Sequence, residues 1–392
     1  MYDVFFIIGT VLFIGFITSL IFERTKFPDV ILLMLVGVLL GPILKIVSIE
    51  GTISSLAPYI GTLALIIILF EGGLNLNLFK VITARGKATG FTFLVFSLSV
   101  VFLGFSMKLI FGWTYLEGLL LGAVVGGTSS AIVIPIISRL SMSEESRIIL
   151  SLESALTDAL CVIVAIALIE IINLGTVDLR GTASSIASAF SIAAVIGAVF
   201  AVFWIGVINK LKQVEYSLTF AMVFILYSIV ELVRGNGAIA VLVFALLLSN
   251  FSELARRLEI IGDFVLNSTL RAFHAEVSFF VRTFFFIFTG LMFSVEAFNS
   301  EVVIISGIVF LILFIARILG VGVLKISDKK TGPFGKLIIF TMPRGLAAAV
   351  LASMPLAAGI KIPYFAEIVF GIIILTNLAT TVGVFVMEIQ NF

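Results

Sequence analysis

The sequence predicts an all-α polytopic membrane protein of about 13 transmembrane helices, arranged as inverted six-helix repeats with two broken helices. Three observations carry this reading. Hydrophobic residues make up 61% of the 392 positions and charged residues only 12%; apolar runs of membrane-spanning length follow one another from end to end; and two of those runs are interrupted at mid-depth by glycine, proline and hydroxyl residues. A mean hydropathy of +1.29 leaves too few polar side chains to cover a water-facing surface.

In chain order the runs fall at 4–22, 29–47, 57–79, 88–111, 116–140 and 147–173, then 182–208, 215–233, 236–250, 272–296, 301–324, 335–359 and 363–388. The first has only Asp3 ahead of it and no basic leader, so it is expected to be a retained span and not a signal peptide. The ninth is short, and Phe251 to Leu270 after it, with Arg256, Arg257, Glu259 and Asp263, has the pattern of an amphipathic interfacial segment. The whole is one membrane domain, 1–392: 4–173 is repeat one, 182–208 a linking helix and 215–388 repeat two.

Loop charge gives the orientation. Of 24 lysines and arginines, sixteen fall in one alternating set of loops and five in the other (Lys45, Lys108, Arg180, Arg234, Lys361). Basic residues collect on the cytoplasmic side, which puts the N-terminus outside and the C-terminus in the cytoplasm. The remaining three, Arg282, Arg317 and Arg344, lie inside spans.

Pro28 to Gly41 on the second span pairs with Asn236 to Ser249 on the ninth, and Phe70-Glu-Gly-Gly-Leu74 on the third with Phe288-Thr-Gly-Leu291 on the tenth. An odd offset of seven spans inserts the two copies in opposite senses. The same offset relates the two interrupted runs. Span five carries Gly126-Gly-Thr-Ser-Ser130 and Pro135, and span twelve carries Pro343-Arg-Gly345 and Pro355. Such sequences free carbonyls and hydroxyls to hold a cation inside the membrane.

Span six carries Glu153-Ser-Ala-Leu-Thr-Asp158 in an otherwise apolar helix. A carboxylate in hydrocarbon is costly and marks a functional site. At 1.5 Å rise per residue Asp158 lies about 16 Å from the cytoplasmic end and Thr128 about 18 Å, both near the midplane. Glu153 at about 9 Å matches Arg317 at about 10 Å, and Glu71 at about 12 Å matches Arg344 at about 13 Å; Arg282, at about 15 Å, suits either Glu71 or Asp158. Ser154 and Asp158 share a helix face, whereas Glu153 diverges from Asp158 by about 140°. Glu153 is therefore expected to be a structural ion pair, as are Glu71, Arg317 and Arg344, and Asp158 the group that alternates between a proton and a cation.

Together these strings, with Ala316-Arg-Ile-Leu-Gly320 on span eleven, resemble the monovalent cation:proton antiporter superfamily, and in particular its prokaryotic NhaP-type sodium/proton antiporters. The resemblance covers essentially the whole chain. It implies crossed broken helices, a homodimer in the plasma membrane of a prokaryote, and elevator-like alternating access. By position it makes Asp158 the ion-binding aspartate, with Ser154 and Thr128 as Na+ ligands beside Glu153, Thr157 and Ser129, and Arg317 the partner of Glu153. Two departures stand out: Thr157 precedes Asp158 where relatives carry Asn, and Ser129 follows Thr128 where relatives often carry Asp. The chain lacks the paired aspartates of the electrogenic branch, so electroneutral exchange of one H+ per Na+ or Li+ is expected.

Other classes fit less well. K+/H+ exchange or sodium-coupled symport of a small organic anion would use the same fold, but symport needs polar groups beyond Asn75, Asn77 and Asn377. One cysteine, Cys161, and one histidine, His274, exclude an internal disulfide and a multi-histidine metal centre. No catalytic triad, HExxH or phosphate loop is present, so no enzyme and no cofactor is expected. A net charge of +1 without basic blocks argues against nucleic acid.

Overall fold

The computed structural model describes residues 2–25, 27–46, 52–76, 79, 86–140, 142–175, 179–208, 215–257, 268–293, 299–327 and 334–389, and among them there is no strand. In order the helices are α1 (Tyr2–Thr25), α2 (Asp29–Val38, continued by a wide turn at Leu39–Ile43), α3 (Thr52–Asn75), α4 (Lys87–Phe111), α5 (Tyr115–Val125) and α6 (Ser130–Arg139). Then come α7 (Glu144–Leu174), α8 (Leu179–Ile208), α9 (Glu215–Leu232), α10 (Gly237–Arg257), α11 (Ser268–Leu291), α12 (Ser300–Ser327), α13 (Gly335–Phe340), α14 (Leu346–Ala357) and α15 (Phe365–Ile389). The α5–α6 pair together with α4, α7, α8, α10, α12 and α15 supplies seven stretches long and apolar enough to cross a membrane, and α1, α2, α3, α9 and α14 hold shorter apolar runs. The protein is a multi-pass helical membrane protein.

Local sequence explains the boundaries that matter. Gly86 and Gly112, at φ 66° and 71°, bracket α4 in the left-handed conformation that glycine adopts without a Cβ clash. Thr114 and Glu117 then start α5 with a reciprocal capping box, each side chain accepting from the other's amide. The predicted ninth span is longer than its apolar run suggested. Phe251 to Arg257, the first part of the expected interfacial segment, continue α10 as helix, and Ser249 and Asn250 at its start donate to the carbonyls of Gly73 and Leu76. Residues 258–267 of that predicted segment lie outside the described residues. The tenth helix starts earlier than predicted, at Ser268.

The chain divides into two compact units. The first is made of Met1–Gly61, Gly86–Ile169 and Arg282–Phe392, and contains α1, α2, α4 to α6, most of α7, the end of α11 and α12 to α15. Within it α2 crosses α11 at two glycines: a methyl group added at Gly290 would fall 2.2 Å from the Met34 carbonyl oxygen and 2.9 Å from Gly37 Cα. Close backbone approach at small residues is how membrane helices gain contact without a hydrophobic driving force.

The second unit is Thr62–Arg85 with Glu170–Val281. Phe70, Phe220 and Phe244 pack at its centre, with His274 between the Phe70 and Phe220 rings at 4.6 and 4.5 Å. Here α3 crosses α10, and a methyl at Gly73 would meet Ala245 Cβ at 2.6 Å, the Leu242 oxygen at 2.9 Å and the Leu246 nitrogen at 3.1 Å. The register repeats that of the first unit. Met34, Gly37 and Val38 become Leu242, Ala245 and Leu246 at the same spacing, and Gly290-Leu291 becomes Gly73-Leu74.

Both predicted breaks are present, and they touch. The helix stops at Val125 and restarts at Ser130; the second stops at Phe340 and restarts at Leu346. The Ser129 amide donates to the Pro343 carbonyl at 2.9 Å. A Cβ at Gly345 would lie 2.3 Å from Ser129 Oγ, so glycine is what lets the two unwound strands cross.

Candidate functional site

The site is built on α7 where it faces the first break. One turn separates Glu153 from Thr157 and Ser154 from Asp158, and the two pairs point different ways. Glu153, Ser154 and Thr157 are buried, while Asp158 is half-buried.

Thr157 pins the unwound segment. Its Oγ1 accepts a hydrogen bond from the Thr128 amide at 3.0 Å and lies 2.9 Å from the Glu153 carbonyl, to which it donates as a helical hydroxyl does. Gly127 fits against the same helix face: a side chain there would collide with Cys161 Sγ at 2.5 Å and Thr157 Cβ at 2.9 Å. Thus Thr157 supplies an acceptor for one of the backbone groups that the break frees.

Asp158 closes the other end of the break. Its Oδ2 accepts from the Ser130 amide at 3.1 Å and the Ser130 hydroxyl at 2.5 Å, at the start of α6. A carboxylate at a helix N-terminus is favoured by the amide dipoles there. Ser154 Oγ donates to Ser151 at 3.1 Å. Thr128 Oγ1 is buried and has no hydrogen-bond partner among the described residues. Ser129 is buried and turned to Gly345 and Pro343.

The second break is held by two arginines and one helix. Arg317, 1% exposed, forms a bidentate pair with Glu153 through Nη1 and Nη2, the latter at 3.0 Å from Oε2. Its remaining donors reach the carbonyls of Ile338 at 2.9 Å and Thr341 at 2.6 Å, at the end of α13. Arg344 donates from Nε to the Val125 carbonyl at 2.8 Å and from Nη1 to the Met342 carbonyl at 2.5 Å. It therefore places its charge against the C-terminal end of α5 at Val125 and against the unwound segment that follows α13 at Met342. On α15, Thr376 accepts from the Arg344 amide, Asn377 donates to the Arg344 carbonyl, and Thr380 accepts from the Met342 amide and donates to Phe340.

Several sequence expectations are thereby relocated. Arg344, which the sequence sets at the depth of Glu71, directs Nε and Nη1 at the Val125 and Met342 carbonyls. Glu71 is half-buried on α3 in the second unit. Arg282 lies 3.7 Å from Asp29 at the start of α2, an acid that the sequence reading had left at the edge of a span. Asn377, weighed only as an amide for an organic substrate, spends its NH2 group on the backbone. Ser130, Thr376 and Thr380 were not singled out; the one available signal was that Ser130 opens the helix after the break.

Among the described residues no three His, Cys, Asp or Glu side chains gather as a metal-holding group. One carboxylate beside hydroxyl and carbonyl oxygens is a set of hard, weakly charged donors that suits a monovalent cation better than a transition metal.

The family model described as sodium/hydrogen exchanger, transmembrane, matches residues 9–388. A protein named Na(+)/H(+) antiporter 1 from Methanocaldococcus jannaschii is 27% identical over 364 residues, covering 88% of this chain and 81% of that one. A protein named K(+)/H(+) antiporter NhaP from Alkalimonas amylolytica is 28% identical over 168 residues, 42% of this chain and 29% of its own length. Among solved structures, that of the sodium proton antiporter MjNhaP1 from Methanocaldococcus jannaschii at pH 8 superposes with a TM-score of 0.76 at 22% identity, over 97% of this chain and 94% of that one.

Proposed function

Because the chain belongs to the sodium/hydrogen exchanger family, a family of cation/proton antiporters, we propose that it exchanges Na+ or Li+ for H+ at one carboxylate, Asp158. The observation that carries this reading is a half-buried carboxylate at a break in a membrane helix, with the orphaned Thr128 hydroxyl on the same unwound segment. Asp158, Ser154 and Thr128 hold the cation; Thr157 and Ser129 shape the segment that presents it. Glu153 pairs with Arg317 and fixes α7 to the second break.

Coupling follows from one prohibition. A bare carboxylate is too costly to carry through a dry barrier, so the carrier reorients only with Asp158 neutralised by a cation or a proton. One site taking one ion of either kind gives electroneutral exchange. The chain works as two inverted repeats, 4–173 and 215–388, joined by 182–208, as a homodimer in a prokaryotic plasma membrane with the N-terminus outside.

A second reading, K+/H+ exchange, is favoured by the K(+)/H(+) antiporter NhaP of Alkalimonas amylolytica among its relatives. One assay separates them. In vesicles loaded with a pH dye, adding Na+ or Li+ dequenches the wild-type signal, imposed voltage leaves the rate unchanged, and the apparent KM for Na+ rises as the pH falls because the proton competes. Asp158→Asn abolishes the signal while the protein still folds and inserts. Wild-type-like exchange by that variant overturns the assignment, and a response to K+ alone replaces the first reading by the second.

A further inference from the structure

Ser130 grips the same oxygen of Asp158 twice, through its N–H at 3.1 Å and its O–H at 2.5 Å. We infer that Ser130 is a cation-binding residue of this carrier: its hydroxyl proton goes to Asp158 while its lone pairs face the transported ion, and its reach sets which cation fits. The inference rests on the exchange at Asp158 proposed above.

A serine hydroxyl has one proton to donate and two lone pairs to offer. The amide of Ser130, fixed as the first residue of α6, holds Oδ2 in place, so the hydroxyl is committed as a donor to that oxygen. Its lone pairs then point away from the bond, beside the carboxylate. Hard cations near the size of Na+ take oxygen ligands at about 2.3–2.6 Å, so two oxygens 2.5 Å apart can share one ion. Thr128, two residues earlier, supplies a second and independent sign that this segment faces a ligand: its Oγ1 is buried, on a residue 3% exposed, and has no partner among the described residues. Asp158 and Ser154 from α7, with Thr128 and Ser130 from the break, thus make one carboxylate and three hydroxyls from two elements.

Because Ser130 sits on Oδ2 through a one-carbon side chain, it narrows the space on that side of the carboxylate. A larger ion must push this hydroxyl away and lose its hydrogen bond to Asp158, which small Na+ and Li+ do not require.

The test is a concentration series of Na+, Li+ and K+ in vesicles for the wild type, Ser130→Ala, Ser130→Thr and Ser130→Cys. Ser130→Ala is expected to raise the apparent KM for Na+ about tenfold, the scale of one lost charge-assisted contact, with the maximal rate within about twofold. Ser130→Thr, which keeps the hydroxyl, restores the KM. Ser130→Cys keeps the volume but offers soft sulfur, so it behaves like Ser130→Ala and serves where the alanine variant does not fold. The preference for Na+ over K+ narrows in both. An unchanged KM in Ser130→Ala and Ser130→Cys, or a fall in maximal rate that Ser130→Thr fails to restore, overturns the inference. If Asp158→Asn has already abolished exchange, such a result removes Ser130 alone; if Asp158→Asn transports normally, the reading of the site falls first.

Discussion

Thr157 Oγ1 lies 3.0 Å from the amide nitrogen of Thr128, so the residue before Asp158 also ties down the unwound strand that faces it. A single threonine hydroxyl does the tying, as an acceptor from one chain segment and a donor to its own helix.

Thr157→Val keeps the shape and removes that acceptor. It leaves the Thr128 amide buried and unmet, a penalty of about 1–3 kcal/mol. The expected result is a lower melting temperature in detergent and at least tenfold slower exchange, with Thr157→Ser close to wild type. A valine variant with normal melting and normal flux contradicts the role.

Breaking the Glu153–Arg317 pair from one side strands a charge among apolar groups. Glu153→Gln is expected to cost about 3–5 kcal/mol, because Arg317 keeps its charge and loses its counter-ion. Arg317 also serves the Ile338 and Thr341 carbonyls, so the double variant Glu153→Gln with Arg317→Met should regain only part of that loss. Thermal unfolding of the three variants in one detergent measures it; full recovery in the double variant means the carbonyl bonds contribute little.

The α2–α11 crossing has no slack. Gly290→Ala would place a methyl 2.2 Å from a backbone oxygen, which cannot swing aside as a side chain can, whereas Gly9→Ala on α1 meets nothing within 4 Å. Gly290→Ala should fail to reach the membrane as folded protein and Gly9→Ala should express normally, as judged by fluorescence-detected size exclusion. Normal folding of Gly290→Ala would mean that the two helices part easily.

Much of this was legible before any coordinates. The apolar runs place the helices, since a membrane demands length and apolarity above all. Gly126 to Ser130 and Pro343 to Gly345 mark the breaks, because those residues weaken helical hydrogen bonding. Arithmetic on depth brings Glu153 and Arg317 to one level, and the two side chains meet. The same arithmetic is blind to direction around the helix and to backbone acceptors, so it gives no sign that Arg344 donates to the Val125 and Met342 carbonyls beside the two breaks. Asp29 opens the second apolar run, where a single acid carries no signal in the sequence, although it is 4% exposed and 3.7 Å from Arg282. Ser130 and the α15 residues Thr376, Asn377 and Thr380 escaped because hydroxyls and amides are common in membrane helices and carry no signal until a broken neighbour needs them.

Arg344 gives the crossing its mechanics. One planar group holds Val125, the last residue of α5, and Met342, in the unwound segment after α13, and its own amide and carbonyl are clasped by α15. The two discontinuities are therefore not separate hinges but a single joint with one pin: a displacement of the segment bearing Thr128 pulls on Pro343 through the Ser129 amide.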